Sequence, residues 1–586
     1  MKLALPHKQS MKGISTVCLL IILTILESSS WAELIPADRR ISWSPGVRGD
    51  IPTRATICST LLPNGSNDTA QIQNALNTCG AGQVVKLNAG TFKISSAIRL
   101  PSNVTLRGAG MGTTTIQGLA GFSGNWLLGF ENNAFDWSYT NSPSLNLSAG
   151  FTKNSTHITT TITHGWAAGD FVLIDQLEDP TGNPPVTSSG GSGKCSWCSR
   201  AGGTRPLGQW VKIMAVPTST TADIDPPLYW NYTASKSPQG VKLTGLTQNA
   251  GVEDLTINNS TSDAQNTTAM HFVVNCWLLR VEFKGVHRRM IDTYGGLWNT
   301  LRSSKLHAGV PETPYVSTAY GPDRAYGVFL NGQSAMLIED TIFYDLSLPI
   351  SLEGGPSGNV IGYNYFTRIQ YQDPEWSRIS IGAHGAHPMM NLIEGNIMED
   401  KIDGDWYWGT SSHQTYFRNK VTNQLGKTYG VWGIDLYKGA WYYNIIGNVL
   451  GTVSYENTYE LTGYLNMIGK SIYRLGYFDA GDHTALGNDI NVKTTLLRHG
   501  NWDSVSQTVR WDPTISDHTL PASYYLTSRP TFLGSCAWPV IGPDLNPTTS
   551  PLPAKSRYDG TSNCGSGSGG GDTTPPTAPV NLRVLP

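Results

Sequence analysis

The sequence has little charge and few long hydrophobic runs. Charged residues make up 14% of the 586 positions, and 41 Lys and Arg against 43 Asp and Glu give a formal net charge of -2. A broad basic surface, which nucleic acid or anionic lipid would need, is therefore excluded. The longest apolar run, Ile14 to Leu26, is shorter than the about 20 residues that span a bilayer. This composition favours a monomer with neither a nucleic-acid nor a membrane partner.

Cysteine is scarce, with 8 residues in the whole chain. Cys18 lies within residues 1–32, which we expect to be cleaved off. The mature protein then has seven cysteines, of which at least one is unpaired. Export permits disulfides, and the favoured pairs are Cys58 with Cys79 and Cys536 with Cys564. Cys195 and Cys198 are predicted to close a small disulfide ring, with half of a zinc site as the alternative. Cys276, in a strand-like run, is predicted to be a buried free thiol.

The N-terminus has the order of features that a secretory signal peptide requires. Lys2, Lys8 and Lys12 precede the apolar run, and Ser30-Trp31-Ala32 offers small residues for cleavage before Glu33. A membrane anchor is the alternative. We therefore expect residues 1–32 to be removed and the protein to be secreted.

The abundant residues indicate short strands and turns, because 63 Gly and 34 Pro accompany many Asn, Ser and Thr. One short amphipathic helix is predicted from Asp68, in D-T-A-Q-I-Q-N-A-L-N-T-C. Two strand runs follow, V-V-K-L-N-A-G-T-F-K-I and A-I-R-L-P-S-N-V-T-L-R-G-A-G. This stretch resembles the N-terminal segment of the pectate-lyase-like superfamily, including polygalacturonase and rhamnogalacturonase types. The resemblance implies an all-β, right-handed parallel β-helix whose first coil is closed by a capping helix.

A repeat of polar residues supports a solenoid independently of that resemblance. Short β-rich runs end at Asp340, Asn364, Asn396, Asn419 and Asn448, in steps of 24, 32, 23 and 29 residues. Steps near 23 suit one coil, and longer steps suit a coil with an inserted loop. We expect these side chains to form a hydrogen-bonded ladder between coils about 4.8 Å apart. The residues two positions later are predicted to be a core column: Ile342, Phe366, Met398, Val421 and Leu450.

The predicted organisation has one main domain. The β-helix covers residues 33–555, and a loop-rich excursion around 150–243 leaves the repeat and is expected to overhang one face. Residues 556–575 form a Gly/Ser-rich linker. Residues 576–586 are predicted to be the truncated start of a fibronectin type III-like module, because the run T-T-P-P-T-A-P-V-N-L-R-V, which begins at Thr573, resembles the first strand of such a module.

The groups suited to catalysis are concentrated between Asp373 and Arg418. Carboxylates can act as general acid and base, imidazole can relay protons, and Trp faces can stack on sugars. The predicted catalytic residues are Asp400, Asp403, Asp405, His384, His413, Glu394 and Arg418. The predicted substrate-binding residues are Trp376, Trp406, Tyr407, Trp408, Asp373 and His387. A second tier consists of Asp323-Arg324, Glu353 and Asp435.

Several of these residues have a structural alternative. Asp403-Gly404-Asp405 would also make a good turn, and acids on solenoid loops are commonly just solvated. Glu394 stands two positions before the ladder, where other coils have Ile338, Gly362, Phe417 and Ile446. If that column points inward, Glu394 is a buried acid with a raised pKa, either a general acid or a hydrogen-bonded structural group.

The reaction type stays open at this point. Gly382-Ala383-His384-Gly385 follows Arg378-Ile379-Ser380 without a preceding D-D, so the polygalacturonase motif order does not transfer. The sequence predicts a secreted enzyme that cleaves a polysaccharide by hydrolysis or β-elimination. The alternative is a non-catalytic glycan-binding or adhesion solenoid. No cofactor is specified; calcium is possible, although no acidic run has the spacing of a calcium loop.

Overall fold

The computed structural model describes residues 34–130, 139, 141–308, 325–369, 375–423, 425–461, 469–478 and 487–561. The predicted signal peptide, Asp323, Arg324, Asp373, Cys564 and the fibronectin-like segment lie outside the described residues.

The chain winds through parallel strands that return to the same three faces, which makes it a parallel β-helix. Along one coil the order is Leu348–Glu353 on the first face, Val360–Gly362 on the second and Tyr365–Thr367 on the third. The next coil begins at Ile379–Gly385, and its Ile381 pairs with Ile350. The all-β parallel architecture expected from the sequence is confirmed.

The strands of each face follow in chain order. The first face contains parts of Gly90–Arg99 and Thr114–Phe130, then Asn266–Val274, Arg289–Leu297, Tyr326–Asn331, Leu348–Glu353, Ile379–Gly385, Lys401–Trp408, Trp432–Tyr437, Ser471–Tyr477 and the edge strand Thr458–Leu461. The second face contains Ile57–Leu61, Val84–Leu87, Thr105–Arg107, the first halves of Gly251–Asn258 and Trp277–Lys284, then Thr300–Arg302, Leu337–Glu339, Val360–Gly362, Leu392–Glu394, Thr415–Phe417, Asn444–Ile446 and Leu497–His499. The third face contains the remaining halves of those long strands with Lys305–His307, Ile342–Tyr344, Tyr365–Thr367, Ile397–Met398, Lys420–Val421, Val449–Leu450 and Asn501–Asp503, to which Thr508–Arg510 pairs antiparallel. Short strands at the corner between the first and second faces are Thr247–Gln248, Gln333–Ser334, Ser411–Ser412 and Ala440–Trp441.

The predicted asparagine ladder lies at the corner between the second and third faces. The amide oxygen of Asn396 accepts the backbone N–H of Asn364 at 2.9 Å and its side-chain N–H at 3.0 Å. The same pattern joins Asn396 to Asn419, Asn419 to Asn448, and Asn448 to Asn501. These bonds pair buried amides that would otherwise lack partners.

The prediction that Asp340 forms the first rung of the ladder is wrong. Ile342 pairs with Tyr365, so Thr341, not Asp340, stands opposite Asn364 and donates its backbone N–H to it. Asp340 occupies the left-handed turn position before the rung and pairs with Arg557 at 3.0 Å. The core column accordingly begins at Phe343, whose ring stacks on Phe366 at 4.8 Å, and not at Ile342. The remaining members, Phe366, Met398, Val421 and Leu450, are fully buried.

The excursion from the solenoid contains a small closed antiparallel barrel. Its strands are Ser144–Ala149, His157–Thr160, Phe171–Gln176, Leu207–Thr218, Thr221–Asp225 and Gln239–Lys242. A hairpin of Ser189–Gly190 and Gly193–Lys194 extends from it. The barrel core is continuous with apolar residues on the outside of the second face. The barrel is thus packed against the solenoid rather than separate from it.

Helices occur at the ends. Thr69–Thr78 covers the first coil with Ile72, Ala75 and Leu76 buried, and the disulfide Cys58–Cys79 ties it to the first strand. Two short helices, Ile490–Thr495 and Pro553–Asp559, lie near the C-terminal end. Three 3-10 turns are Ala37–Arg39, Ala234–Lys236 and Thr531–Leu533. Within the described ranges no helix is both long and apolar enough to span a membrane.

Candidate functional site

The candidate site lies on the outside of the first face, where adjacent coils bring distant residues together. Ile350, Ile381, Ile402 and Ile434 point into the core, so the alternate residues point outward. Leu352 pairs with Ala383 and Ala383 with Gly404. The next residues on these three strands form one outward row: Glu353, His384 and Asp405.

His384 and Asp405 form an ion pair at the centre of this row. The imidazole Nδ1 lies 2.6 Å from Asp405 Oδ2, and the Tyr407 N–H donates to Asp405 Oδ1 at 2.9 Å. Burial lowers the pKa of His384, but the Asp405 carboxylate outweighs it and raises the pKa to about 9. The imidazole is therefore protonated at neutral pH. Both side chains stay partly accessible, with exposed fractions of 19% and 15%.

Asp403 stands two residues before Asp405 and is more deeply buried, with exposed fractions of 1% against 15%. Burial, with the nearby Asp405 carboxylate, raises its pKa well above the ordinary value. Its Oδ1 has no hydrogen-bond partner in the parts of the chain that the structure describes. Gly382 stands opposite on the preceding coil, and a Cβ there would lie 2.9 Å from Oδ1. The surroundings of this carboxyl group thus favour its protonated form.

Glu353 is a second buried acid in the same row. Burial raises its pKa, and the Ser351 hydroxyl donates to Oε1 at 2.6 Å. Its Oε2 has no partner among the described residues. Two coils separate it from Asp405, a distance of about 9.6 Å. The second-tier residue Glu353 is thus brought beside His384.

Buried charges lie next to Asp403 on the following coils. Asp435 pairs with Asp403 in the strand register and accepts from Lys401 at 3.2 Å and from Arg474 at 2.7 Å. The guanidinium of Arg474 lies 3.7 Å from the Trp432 ring centroid. Because Asp435 is tied to both cations, it is better suited to a positioning role than to contact with substrate.

Aromatic residues lie beside the ion pair on the first face. Tyr407 stacks on His384 at 5.2 Å, and Trp408 meets Tyr407 edge-on at 5.1 Å. Trp406 donates its indole N–H to the Phe478 carbonyl at 2.7 Å and carries Lys438 over its ring at 4.2 Å. Half-buried Trp and Tyr rings are suited to stacking on sugars.

Asp400 and Trp376 lie at the beginning of the same face. Asp400 is fully buried and accepts from the Ser377 hydroxyl at 3.0 Å. Trp376 is half-buried beneath the guanidinium of Arg378 at 4.9 Å. Trp376 therefore borders the groove, whereas Asp400 is held below its surface.

His387 and His413 lie at a different corner, under the barrel. His387 contacts the hydroxyls of Thr410 and Ser412 at 2.9 and 3.0 Å, and burial lowers its pKa to about 3. Trp230 of the barrel packs edge-on against His413 at 5.1 Å. Burial lowers the pKa of His413 well below the ordinary value. Both rings are neutral, and the structure does not bring them to the His384–Asp405 pair.

Glu394 and Arg418 lie on the second face, beneath the C-terminal segment. Arg418 makes two 2.8 Å bonds to Asp544, and Glu394 accepts the Tyr524 N–H at 2.9 Å. The Glu394 column includes Glu339, not Ile338, and points out of the coil, but the C-terminal segment covers it. Burial raises the pKa of Glu394 to about 7.

No group of three or more potential metal ligands occurs among the residues that the structure describes. On the first face, Asp405 pairs with His384, and Asp435 pairs with Lys401 and Arg474. No metal-dependent step is derived for this site.

Comparisons of the sequence with known proteins match limited parts of the chain. Residues 63–175 match the family model described as rhamnogalacturonase A/epimerase, pectate lyase-like. An endo-polygalacturonase of Pectobacterium carotovorum subsp. carotovorum is 42% identical over 57 residues, which are 9% of this chain and 14% of that protein. The matched family segment ends before the first residue of the candidate site.

Two solved structures are similar over longer stretches. The tailspike protein gp49 from Pseudomonas phage LKA1 has 15% identity and a TM-score of 0.46, over 70% of this chain and 63% of that chain. A polygalacturonase from Erwinia carotovora ssp. carotovora has 12% identity and a TM-score of 0.35, over 74% of this chain and 96% of that chain.

Sequence reasoning missed three contributors to the site: Lys401, Arg474 and Trp197. Lys401 and Arg474 carried no motif, but strand alternation places Lys401 two residues before Asp403, and coil stacking places Arg474 beside Asp435. The only prediction for the loop of Trp197 is a disulfide ring. The ring of Trp197 lies 6.2 Å from that of Trp408, a tertiary contact that no local pattern indicates.

Proposed function

We propose that the chain is an exported enzyme that hydrolyses glycosidic bonds of a polysaccharide in the first-face groove. One observation carries this proposal: two carboxyl groups two residues apart on one strand have different surroundings. Burial raises the pKa of Asp403 well above its ordinary value, whereas Asp405 lies 2.6 Å from the protonated His384. Carboxyl pairs with different environments are suited to acid and base roles in glycoside cleavage.

In this mechanism Asp403 donates its proton to the glycosidic oxygen as the bond to the anomeric carbon breaks. Asp405 stabilises the positive charge on the sugar and accepts a proton from the attacking water. His384 orients Asp405 and does not itself contact the substrate. Outward residues at i and i+2 on a strand are about 6.6 Å apart, which suits a water between them and inversion at the anomeric carbon.

The proposed substrate class is a pectic polysaccharide. Aromatic rings beside the ion pair can stack on sugar rings, and a 57-residue stretch of the chain is 42% identical to an endo-polygalacturonase. The N-terminal 32 residues, with their basic, apolar and small-residue regions, support export.

The test is an incubation with pectin, alginate, glucan and arabinan. We expect new reducing ends without the ultraviolet absorbance of an unsaturated uronate. That absorbance would instead show β-elimination and contradict the acid/base assignment. If no polymer is cut, the hydrolase proposal is wrong.

The second candidate is a glycan-binding solenoid without catalysis. The near-complete burial of Asp403 and Glu353, exposed by 1% and 2%, favours it, because a general acid must reach the glycosidic oxygen. Retention of a polymer by the wild-type protein without cleavage would support this candidate.

A further inference from the structure

The barrel places an exposed aromatic side chain against the first face. Trp197 keeps 40% of its surface exposed, although its ring contacts Phe329 at 5.8 Å and Trp408 at 6.2 Å between centroids. Aromatic rings with one accessible face, grouped in this way, are suited to contact with a ligand. Trp197 lies on a loop of the barrel, more than 150 positions before the candidate catalytic strand.

A disulfide fixes the loop that carries Trp197. Cys195 and Cys198 flank the residue and form a closed ring. Both sulfur-bearing residues are buried against Ala386 and Trp408. A tetrapeptide closed in this way has few backbone conformations, so Trp197 is oriented before a ligand arrives.

Hydrogen bonds join the same loop to the strand that carries Asp405. Gly191 and Ser192 donate their N–H groups to the carbonyls of Trp406 and Tyr407 at 3.0 and 3.1 Å. Gly190 approaches so closely that a Cβ there would lie 1.9 Å from the Trp406 carbonyl oxygen. The position of Trp197 is thus coupled to the proposed catalytic strand by backbone contacts.

The distance between Trp197 and Asp403 sets its role. Phe329, which Trp197 contacts, shares the Asp403 column through Ser351 and Gly382, three coils away. Three coils span about 14 Å, so Phe329 marks the side of Trp197 that is farther from Asp403, whereas Trp408 lies on the Asp403 strand itself. A sugar stacked on the Phe329 side of Trp197 would be a different unit from the one at Asp403, so a polymer can occupy both positions at once.

We propose that Trp197 is a substrate-binding residue that selects long polysaccharide chains, and that the Cys195–Cys198 disulfide positions it. This inference rests on the proposed polysaccharide-cleaving function. The ligand class is a chain of pyranose rings whose apolar face stacks on the indole. Reduction of the disulfide would free the loop and weaken the binding of long chains.

The test compares Trp197→Ala, Trp197→Tyr and Cys195→Ala/Cys198→Ala with the wild type. Each is assayed on whichever polymer of pectin, alginate, glucan and arabinan the wild type cuts, and on its short oligosaccharides. We expect KM for the polymer to rise about 3- to 10-fold in Trp197→Ala and in the double Cys variant. Trp197→Tyr should restore most of the loss, and kcat/KM for the short substrates should not change.

Matched controls separate this effect from general damage. Met214→Ala changes an exposed barrel side chain, and Cys58→Ala/Cys79→Ala removes the other described disulfide. Neither control should alter the ratio of polymer to oligosaccharide activity, and thermal unfolding will report whether each variant folds. If Trp197→Ala leaves that ratio unchanged while the wild type is active, the inference is wrong and the proposed function stands. If the wild type cuts no polymer, the proposed function is wrong and the inference falls with it.

Discussion

At the residue scale, the proposed function depends on the different surroundings of Asp403 and Asp405. Burial and neighbouring carboxylates raise the pKa of Asp403, while the cation of His384 lies beside Asp405. The two residues are only two positions apart in the sequence. Their difference arises because the strand packs Asp403 beside Asp435 and Asp405 beside His384.

We predict that Asp403→Asn lowers kcat by about 10²- to 10⁴-fold, because the general acid is lost while the shape of the side chain is kept. An aryl glycoside whose leaving group needs no protonation should be cut at close to the wild-type rate. Asp400→Asn, which changes the residue just before the same strand, is the matched control. It should leave the ratio of the rates on the polysaccharide and the aryl glycoside unchanged. Equal losses on both substrates would contradict the acid role of Asp403.

We predict that Asp405→Asn lowers the pKa of His384 from about 9, because burial is then opposed only by the more distant Glu353 and Asp403. In the wild type the pair stabilises the folded state fully below pH 6.5 and loses this contribution as pH rises through about 9. NMR titration of the imidazole signals, with His384→Gln for assignment, measures the shift. A His384 pKa that is unchanged in Asp405→Asn would show that another group holds the proton.

Part of the candidate site can be predicted from the sequence alone. His384, Asp403 and Asp405 all lie in the stretch from Asp373 to Arg418, and the structure brings them together. His413, Glu394 and Arg418 came from the same window but lie elsewhere, because a single coil passes through all three faces within about 23 residues. Residues that are close in the sequence can therefore lie on different faces, and only the strand register shows which of them share a face.

At the element scale, the ladder shows why the solenoid could be predicted from spacing. Asn364, Asn396, Asn419 and Asn448 stand on four successive coils, and the amides demand this register because each oxygen serves two donors of the coil before. The first rung could not be placed, because E-D-T-I-F offers both an acid and a hydroxyl. Arg557, which pairs with Asp340, is 217 residues away in the sequence.

A second ladder was missed at the corner between the first and second faces. Asn359 donates to the Asn391 oxygen at 2.8 Å, and Asn391 donates to the Gln414 oxygen at 3.0 Å. Asn359 and Asn391 each precede a rung of the first ladder by five residues, which is the signal that could have found them. The mixed Asn and Gln composition hid the repeat.

We predict that Asn396→Ala destabilises the protein by about 2–4 kcal/mol, because it leaves the backbone N–H and one side-chain N–H of Asn364 buried without an acceptor. Asn491→Ala, an exposed residue of the helix Ile490–Thr495, is the control and should change stability little. Urea unfolding followed by circular dichroism measures both. Equal stability of the two variants would mean that the ladder amides are satisfied by water.

At the scale of the whole molecule, the C-terminal segment closes the second face. Tyr525 contacts Glu339 at 3.3 Å, Trp538 donates to the Tyr363 hydroxyl at 2.9 Å, and the Tyr524 N–H reaches Glu394. These contacts cover polar side chains that point out of the coil. The cover explains why Glu394 is buried without pointing into the solenoid core, which the local sequence could not reveal.

The closure of this segment is predicted to depend on pH through Glu394. The pKa of Glu394 rises from 4.5 to about 7 in the folded state. Its contribution to the stability of the folded state is therefore fully present below pH 4.5 and is lost as pH rises through about 7. The difference amounts to about 3 kcal/mol. Glu394→Gln keeps the hydrogen-bonding shape without the charge, so its unfolding temperature and its resistance to proteolysis near Tyr524 should fall less between pH 5 and pH 8 than those of the wild type. A wild-type protein whose C-terminal segment is equally protected at both pH values would show that Glu394 ionises without loosening it.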